Sequence, residues 1–280
     1  MKFQPGSFPV PHQHGAWAMF LVPALMAMTV GDRWLVSTSL LVLAFVFVFL
    51  SHRPATRALR RWKNRRTVCD SSWAWALFLG GAGVALAGTV LVLHDRWIAL
   101  AFGLLVAITF LMHLRMTLNR VHMSIPGEMI GVLGLTSSAP TVYLFQHGSL
   151  DTRGWLLWII NFFYFAGSIF YVKLRVRIQP SQAPPGLGGK LRAGWKPLVY
   201  SLVLLIVVGV MVTVWEYSWF LFLAYVPFFL KVLVGIVKWQ EKKTLKVHKF
   251  GVMELAHAVL FGVLAMVGFH FTGTFSNSTS

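Results

Sequence analysis

Residues His52–Arg66 read HRPATRALRRWKNRR and follow an uncharged run between Trp34 and Ser51. Seven Lys/Arg fall in this stretch: Arg53, Arg57, Arg60, Arg61, Lys63, Arg65 and Arg66. A basic block straight after a long apolar run is a membrane-topology signal, because Lys and Arg beside a spanning helix stay on the cytoplasmic side. Read as an internal loop, it sets the direction of every other segment.

The composition agrees. Of 280 residues, 57% are hydrophobic and 12% are charged, whereas a soluble domain carries about 25% charged residues. The expectation is an all-α, polytopic membrane bundle: a single transmembrane domain over residues 1–271 and a disordered external tail over 272–280. Net charge is +17. Its basic residues sit between apolar runs, so topology and anionic lipid headgroups explain them better than nucleic acid does. The single cysteine, Cys69, excludes an intrachain disulfide framework and a Cys-cluster metal site. The first apolar run begins near Gly15 and reads as a span, not as a cleavable signal.

Nine spans are predicted, roughly 14–31, 33–51, 72–93, 97–113, 125–146, 155–174, 197–216, 218–237 and 250–271, each near the ~20 apolar residues that cross a bilayer. The connections after the even-numbered spans hold nineteen Lys/Arg; those after the odd-numbered spans hold Arg33, Arg96 and Arg153. This asymmetry predicts a multi-pass protein of the cell inner (cytoplasmic) membrane, N-terminus inside and C-terminus outside. The connection from Gln179 to Pro197, with PPGLGG, is expected to be flexible. A tight helical hairpin is expected around Glu216 to Ser218.

Ionisable groups inside spans are expensive and therefore functional candidates. Glu254 and His257 lie three residues apart in the ninth span and share a helix face. Glu128 opens the fifth span, Lys173 ends the sixth, Lys231 lies within the eighth, and His14 begins the first in HGAW. With the predicted topology, His14, Glu128, Glu254 and His257 gather at the inner mouth with His52, Arg53, Arg57, His113, Arg115, Lys173, Arg175 and Arg177. Plainer readings stand beside this. Lys173, Arg175, Arg177 and Lys231 are long enough to snorkel. His52 and His113 could cap helix ends, and His14 with Trp17 could anchor the interface. Glu128 suits a positive helix N-terminus. Glu254 most needs a partner. Outside, His94, His147 and His270 share one depth but lack ligand spacing on a common helix, so no metal site is assigned.

The eight acids include no pair four residues apart, so the paired carboxylates that hold Mg²⁺ and a diphosphate are missing. This matters because the chain resembles the UbiA-type prenyltransferase superfamily in span number, basic internal connections and PGEMIGVLGLTSSAPTVYLFQHG (residues 126–148). More narrowly, HGAWAMFLVP and GVMEL resemble the YwiC-like membrane proteins. The UbiA-type resemblance implies aspartate motifs at the inner ends of the second and sixth spans. SHRPATR and YVKLRVR stand there instead, with Arg53, Arg57, Lys173 and Arg175 where acids are expected.

The expectation is thus a UbiA-like membrane protein that binds an isoprenoid or other anionic lipid at a basic cytoplasmic-side cavity. His14, Trp17, His52, Arg53, Arg57, Glu128, Lys173 and Arg175 would bind the ligand, with Glu254 and His257 as the acid–base element. Whether it catalyses a metal-independent transfer stays open, as do its cofactors and protein partners. The alternatives are a proton-coupled small-molecule transporter, with Thr136, Ser137 and Ser138 on its outward path, and a haem- or quinone-associated subunit.

Overall fold

The computed structural model describes residues 14–31, 35–63, 71–183, 185–214 and 217–276, with the backbone alone for His14 and for 273–276. Arg33, Arg65, Arg66, Cys69 and Glu216 lie outside the described residues. Every regular element among those described is helical: α1 (His14–Val30), α2 (Val36–Lys63), α3 (Ser71–His94), α4 (Ala99–Leu118), α5 (Ile125–Thr136), α6 (Ser138–His147), α7 (Thr152–Lys173), α8 (Leu187–Ala193), α9 (Trp195–Val214), α10 (Trp219–Val237) and α11 (Val247–Ser276). Lipid cannot hydrogen-bond the backbone, and a helix closes its own bonds.

Seven of the described helices are long and apolar enough to cross a bilayer, which makes this a membrane protein. The count of nine spans is not confirmed. The described part of α1, 17 residues, is not among those seven, and the predicted fifth span is two helices. Pro140 has no N–H to give to the carbonyl of Thr136, four residues back, and the helix breaks at Ser137. Hydroxyls serve the broken turn: Ser137 donates to the Gly134 carbonyl at 2.6 Å, and Thr141 donates to the Ser137 carbonyl at 2.7 Å.

The opening basic stretch is also corrected. It is not a loop as far as Lys63 but the end of α2, which runs 28 residues, about 42 Å at 1.5 Å per residue. That exceeds the ~30 Å hydrocarbon layer, so the basic end projects beyond it. Ala, Leu, Arg and Lys are strong helix formers, and the Arg60 guanidinium fastens this end to the Thr117 carbonyl of α4 at 2.9 Å. The connection from Gln179 to Pro197 contains α8 and so is less irregular than expected. At the other end, α11 continues to Ser276, into the stretch expected to be a tail.

α1 and α7 lie at the centre. α1 packs against α2, α5, α6, α7 and α11, and α7 against α1, α5, α6, α9 and α10. Tyr164 of α7 stacks on Phe261 of α11 with ring centroids 3.9 Å apart. The Tyr225 hydroxyl of α10 donates to the Ile160 carbonyl of α7 at 2.8 Å. α3 packs on α2 and turns Leu77, Phe78 and Val84 outward, as a lipid-facing helix does. The ends of α2, α4, α7 and α10 meet the starts of α5 and α11 at one end of the bundle, where the polar chemistry is found.

Candidate functional site

Two polar groups flank the end of α7. The first joins α2, α4, α5 and α7. Ser124 caps α5 by accepting from the Gly127 N–H at 3.3 Å, which sets Glu128 in the first turn. There Glu128 meets the Lys173 ammonium at 3.0 Å, and Lys173 also donates to the Met123 carbonyl at 2.6 Å. Beside them His52 Nε2 and His113 Nδ1 lie 3.1 Å apart, one ring donating to the lone pair of the other. The His122 ring centroid stands 6.2 Å from that of His113. His122 lies between α4 and α5. Burial, and then the Arg60 guanidinium, hold its pKa below the ordinary 6.5 against the opposing pull of Glu128.

The second group joins α7, α10 and α11. After Lys173 the helix widens into one π turn, Leu174–Ile178, of the kind that recurs at functional sites. Arg175 is carried inward and donates to the Gln179 side-chain carbonyl at 2.7 Å, to the Gly235 carbonyl at 3.1 Å and to the Lys238 carbonyl. Its guanidinium closes the negative end of α10. Gln179, fully buried, adds a bond to Gly235 at 2.8 Å and accepts from the Gln240 N–H at 3.1 Å.

Deeper in, Lys231 of α10 meets Glu254 of α11 at 2.9 Å, with side-chain exposures of 3% and 11%. The ammonium also lies 4.8 Å from the Tyr171 ring centroid and 5.1 Å from that of Phe228, within cation–π range. Lys231 therefore does not snorkel; it is the partner Glu254 needs. The other carboxylate oxygen of Glu254 is buried without a hydrogen-bond partner among the described residues. His257, one turn further on, holds its Nδ1 2.8 Å from the Met253 carbonyl. A carbonyl only accepts, so Nδ1 carries the proton, and Nε2 of the neutral ring is an acceptor.

A groove of about 560 Å³ opens between α10 and α11, lined by Tyr171, Arg175, Lys231, Lys238, Met253 and His257 with the apolar flank of α10. Leu230 and Val234 of that flank are more than half exposed, so the groove faces sideways, where lipid lies. Lys238 caps α10 at its polar end.

The candidates thus divide. Glu128, Lys173 and His52 belong to the first group; Arg175, Glu254 and His257 belong to the second. Arg57 is exposed on the outer turns of α2 and Arg53 is half-buried on the same helix. Trp17 packs on Phe20 and Phe49, with centroids at 5.6 and 5.1 Å. The His14 side chain lies outside the described residues. Lys238, Gln179 and His122 were missed. No local pattern marks them; Gln179 reaches the Gly235 carbonyl, 56 residues along the chain.

The outer histidines keep separate company. His94 meets Phe145, His147 stacks on Tyr143 and lies 3.6 Å from Asp151, and His270 meets Phe271. Among the described residues no group of three or more His, Cys, Asp or Glu is placed to hold a metal ion. Thr136, Ser137 and Ser138 are fully buried. Thr136 and Ser137 donate to the Val132 and Gly134 carbonyls of α5 at 2.8 and 2.6 Å, and Ser138 donates to the Phe20 carbonyl of α1 at 2.9 Å.

The YwiC-like protein family matches residues 10–143, a stretch that includes HGAWAMFLVP and the helices from α1 into α6. The "Uncharacterized protein YwiC" of Bacillus subtilis (strain 168) is 26% identical over 210 residues, covering 68% of this chain and 81% of that protein. The YwiC-like resemblance is borne out by these matches. No solved structure matches, and the UbiA-like architecture is not confirmed. The α10–α11 groove lies beyond the family match.

Proposed function

We propose that this membrane protein, similar to the YwiC-like proteins, binds an isoprenoid phosphate or another anionic lipid in the groove between α10 and α11. One observation carries the reading. A single lateral groove of about 560 Å³ combines an exposed apolar flank with Lys231, Lys238 and His257, and its volume falls within the ~300–1,000 Å³ of ligand pockets. The apolar chain would lie along Leu230 and Val234. The headgroup would sit at Lys238, the outermost cation of the groove, because Arg175 and Lys231 already have partners. This narrows the expected headgroup set: Lys173 is bound to Glu128, on the far side of α7 from the groove.

The excess of Lys/Arg in the connections at this end supports placing it at the cytoplasmic face of the cell membrane. The same groups suit a metal-independent transfer to a hydroxyl-bearing acceptor: its oxygen would bond to the isoprenoid carbon as that carbon's bond to the phosphate breaks, His257 Nε2 would take the hydroxyl proton, and Lys238 would hold the departing phosphate. The transport alternative has less behind it. Glu254 and Glu128 are each tied to a lysine, and the hydroxyls of its outward path are buried and bonded.

The test is native mass spectrometry of protein purified from membranes. Wild type should retain an anionic lipid that Lys238→Glu and His257→Phe each lose, while Arg57→Gln keeps it. Equal retention in all four proteins would sink the reading.

A further inference from the structure

We infer that α8 lies in the plane of the bilayer interface, with one side in the acyl boundary and its cations on anionic headgroups. Leu187, Leu191 and Trp195 are 63%, 42% and 53% exposed. Leu187 and Leu191 stand four apart on α8, which places them on one side of it, and Trp195 opens α9 just past the break at Gly194. Arg192 of α8 and Lys196 in the first turn of α9 are exposed beside them, and the Lys196 ammonium lies 5.9 Å from the Trp195 ring centroid.

The third side is already occupied. A side chain at Gly194 would meet Ile236 of α10 at 2.5 Å, so the two helices touch there. The Lys190 ammonium donates to the Val237 carbonyl at 3.0 Å. These contacts fix the rotation of α8, and its apolar side cannot roll inward against the bundle.

Depth follows from the chain. Gly194 alone separates α8 from α9, which is long and apolar enough to span. α8 must therefore sit where α9 leaves the hydrocarbon. Leu on one side of α8 with Arg192 on another is the chemistry of a helix lying on a bilayer, and Trp195, where α9 begins, favours headgroup depth. The cations make the preferred surface an anionic leaflet. This inference does not depend on the groove being occupied.

The test labels single cysteines in a Cys69→Ser background with an environment-sensitive fluorophore. Leu191→Cys and Arg192→Cys are compared in nanodiscs of phosphatidylcholine with or without phosphatidylglycerol. The Leu191→Cys label should be quenched by lipids spin-labelled in the upper acyl chain and shielded from aqueous iodide. The Arg192→Cys label should show the reverse. Adding Lys196→Glu should weaken lipid quenching at Leu191→Cys in the anionic discs and leave it unchanged in the neutral ones. Equal iodide quenching of both labels would overturn the interfacial placement, with Leu187→Cys as a second reporter of the same side. Lys196→Glu without effect in either disc would overturn the preference for anionic lipid.

Discussion

Lys231 and Glu254, 23 residues apart on α10 and α11, form a 2.9 Å ion pair nearly closed to solvent. Removing one partner from a buried pair leaves an uncompensated charge and costs about 3–5 kcal/mol, whereas replacing both by apolar residues is often neutral or stabilising. Lys231→Met and Glu254→Leu should each lower the unfolding temperature sharply in detergent, and the double variant should regain most of the loss. Additive losses would show that the two side chains act separately.

The Lys173–Glu128 pair is as short, at 3.0 Å, but more exposed. Exposed pairs contribute about 0–1 kcal/mol. A double-mutant cycle with Lys173→Met and Glu128→Gln should give a coupling energy well below that of the Lys231–Glu254 cycle, and one that shrinks as salt is added.

His122 sets a pH dependence. Its folded pKa lies below 6.5, so the unfolded chain binds the proton more readily. The contribution is present above pH 6.5 and is lost as pH falls through the folded value. His122→Gln should therefore flatten the fall of unfolding temperature on acidification below pH 6.5. An unchanged slope would place the acid sensitivity elsewhere.

Two glycines of α3 should respond oppositely to alanine. A Cβ at Gly83 would lie 2.9 Å from the Ala44 carbonyl oxygen of α2, whereas one at Gly81 meets nothing within 4 Å. Gly83→Ala forces α2 and α3 apart and should destabilise by about 1–3 kcal/mol. Gly81→Ala should be neutral, or stabilising by up to about 1 kcal/mol from helix propensity. Thermal unfolding of the two variants side by side decides it.

By itself the sequence determined that this is a helical membrane protein, where its apolar segments run, and that acids, imidazoles and cations collect toward one end. Those properties are local, because apolar length and charge placement are written in consecutive residues. Even the break at Pro140 and the capping by Ser124 follow from neighbours in the chain, although apolar length alone predicts one helix for the fifth segment. Partnership was decided only by the tertiary structure. Lys231 looked long enough to reach the interface; its ammonium instead meets Glu254 of α11 and the faces of Tyr171 and Phe228, groups brought to it by three separate helices. Arg175 looked like a headgroup ligand, but the π turn carries it onto the carbonyls that end α10. How each helix is rotated about its own axis is fixed by such close contacts between distant segments, and that rotation chooses which charge meets which.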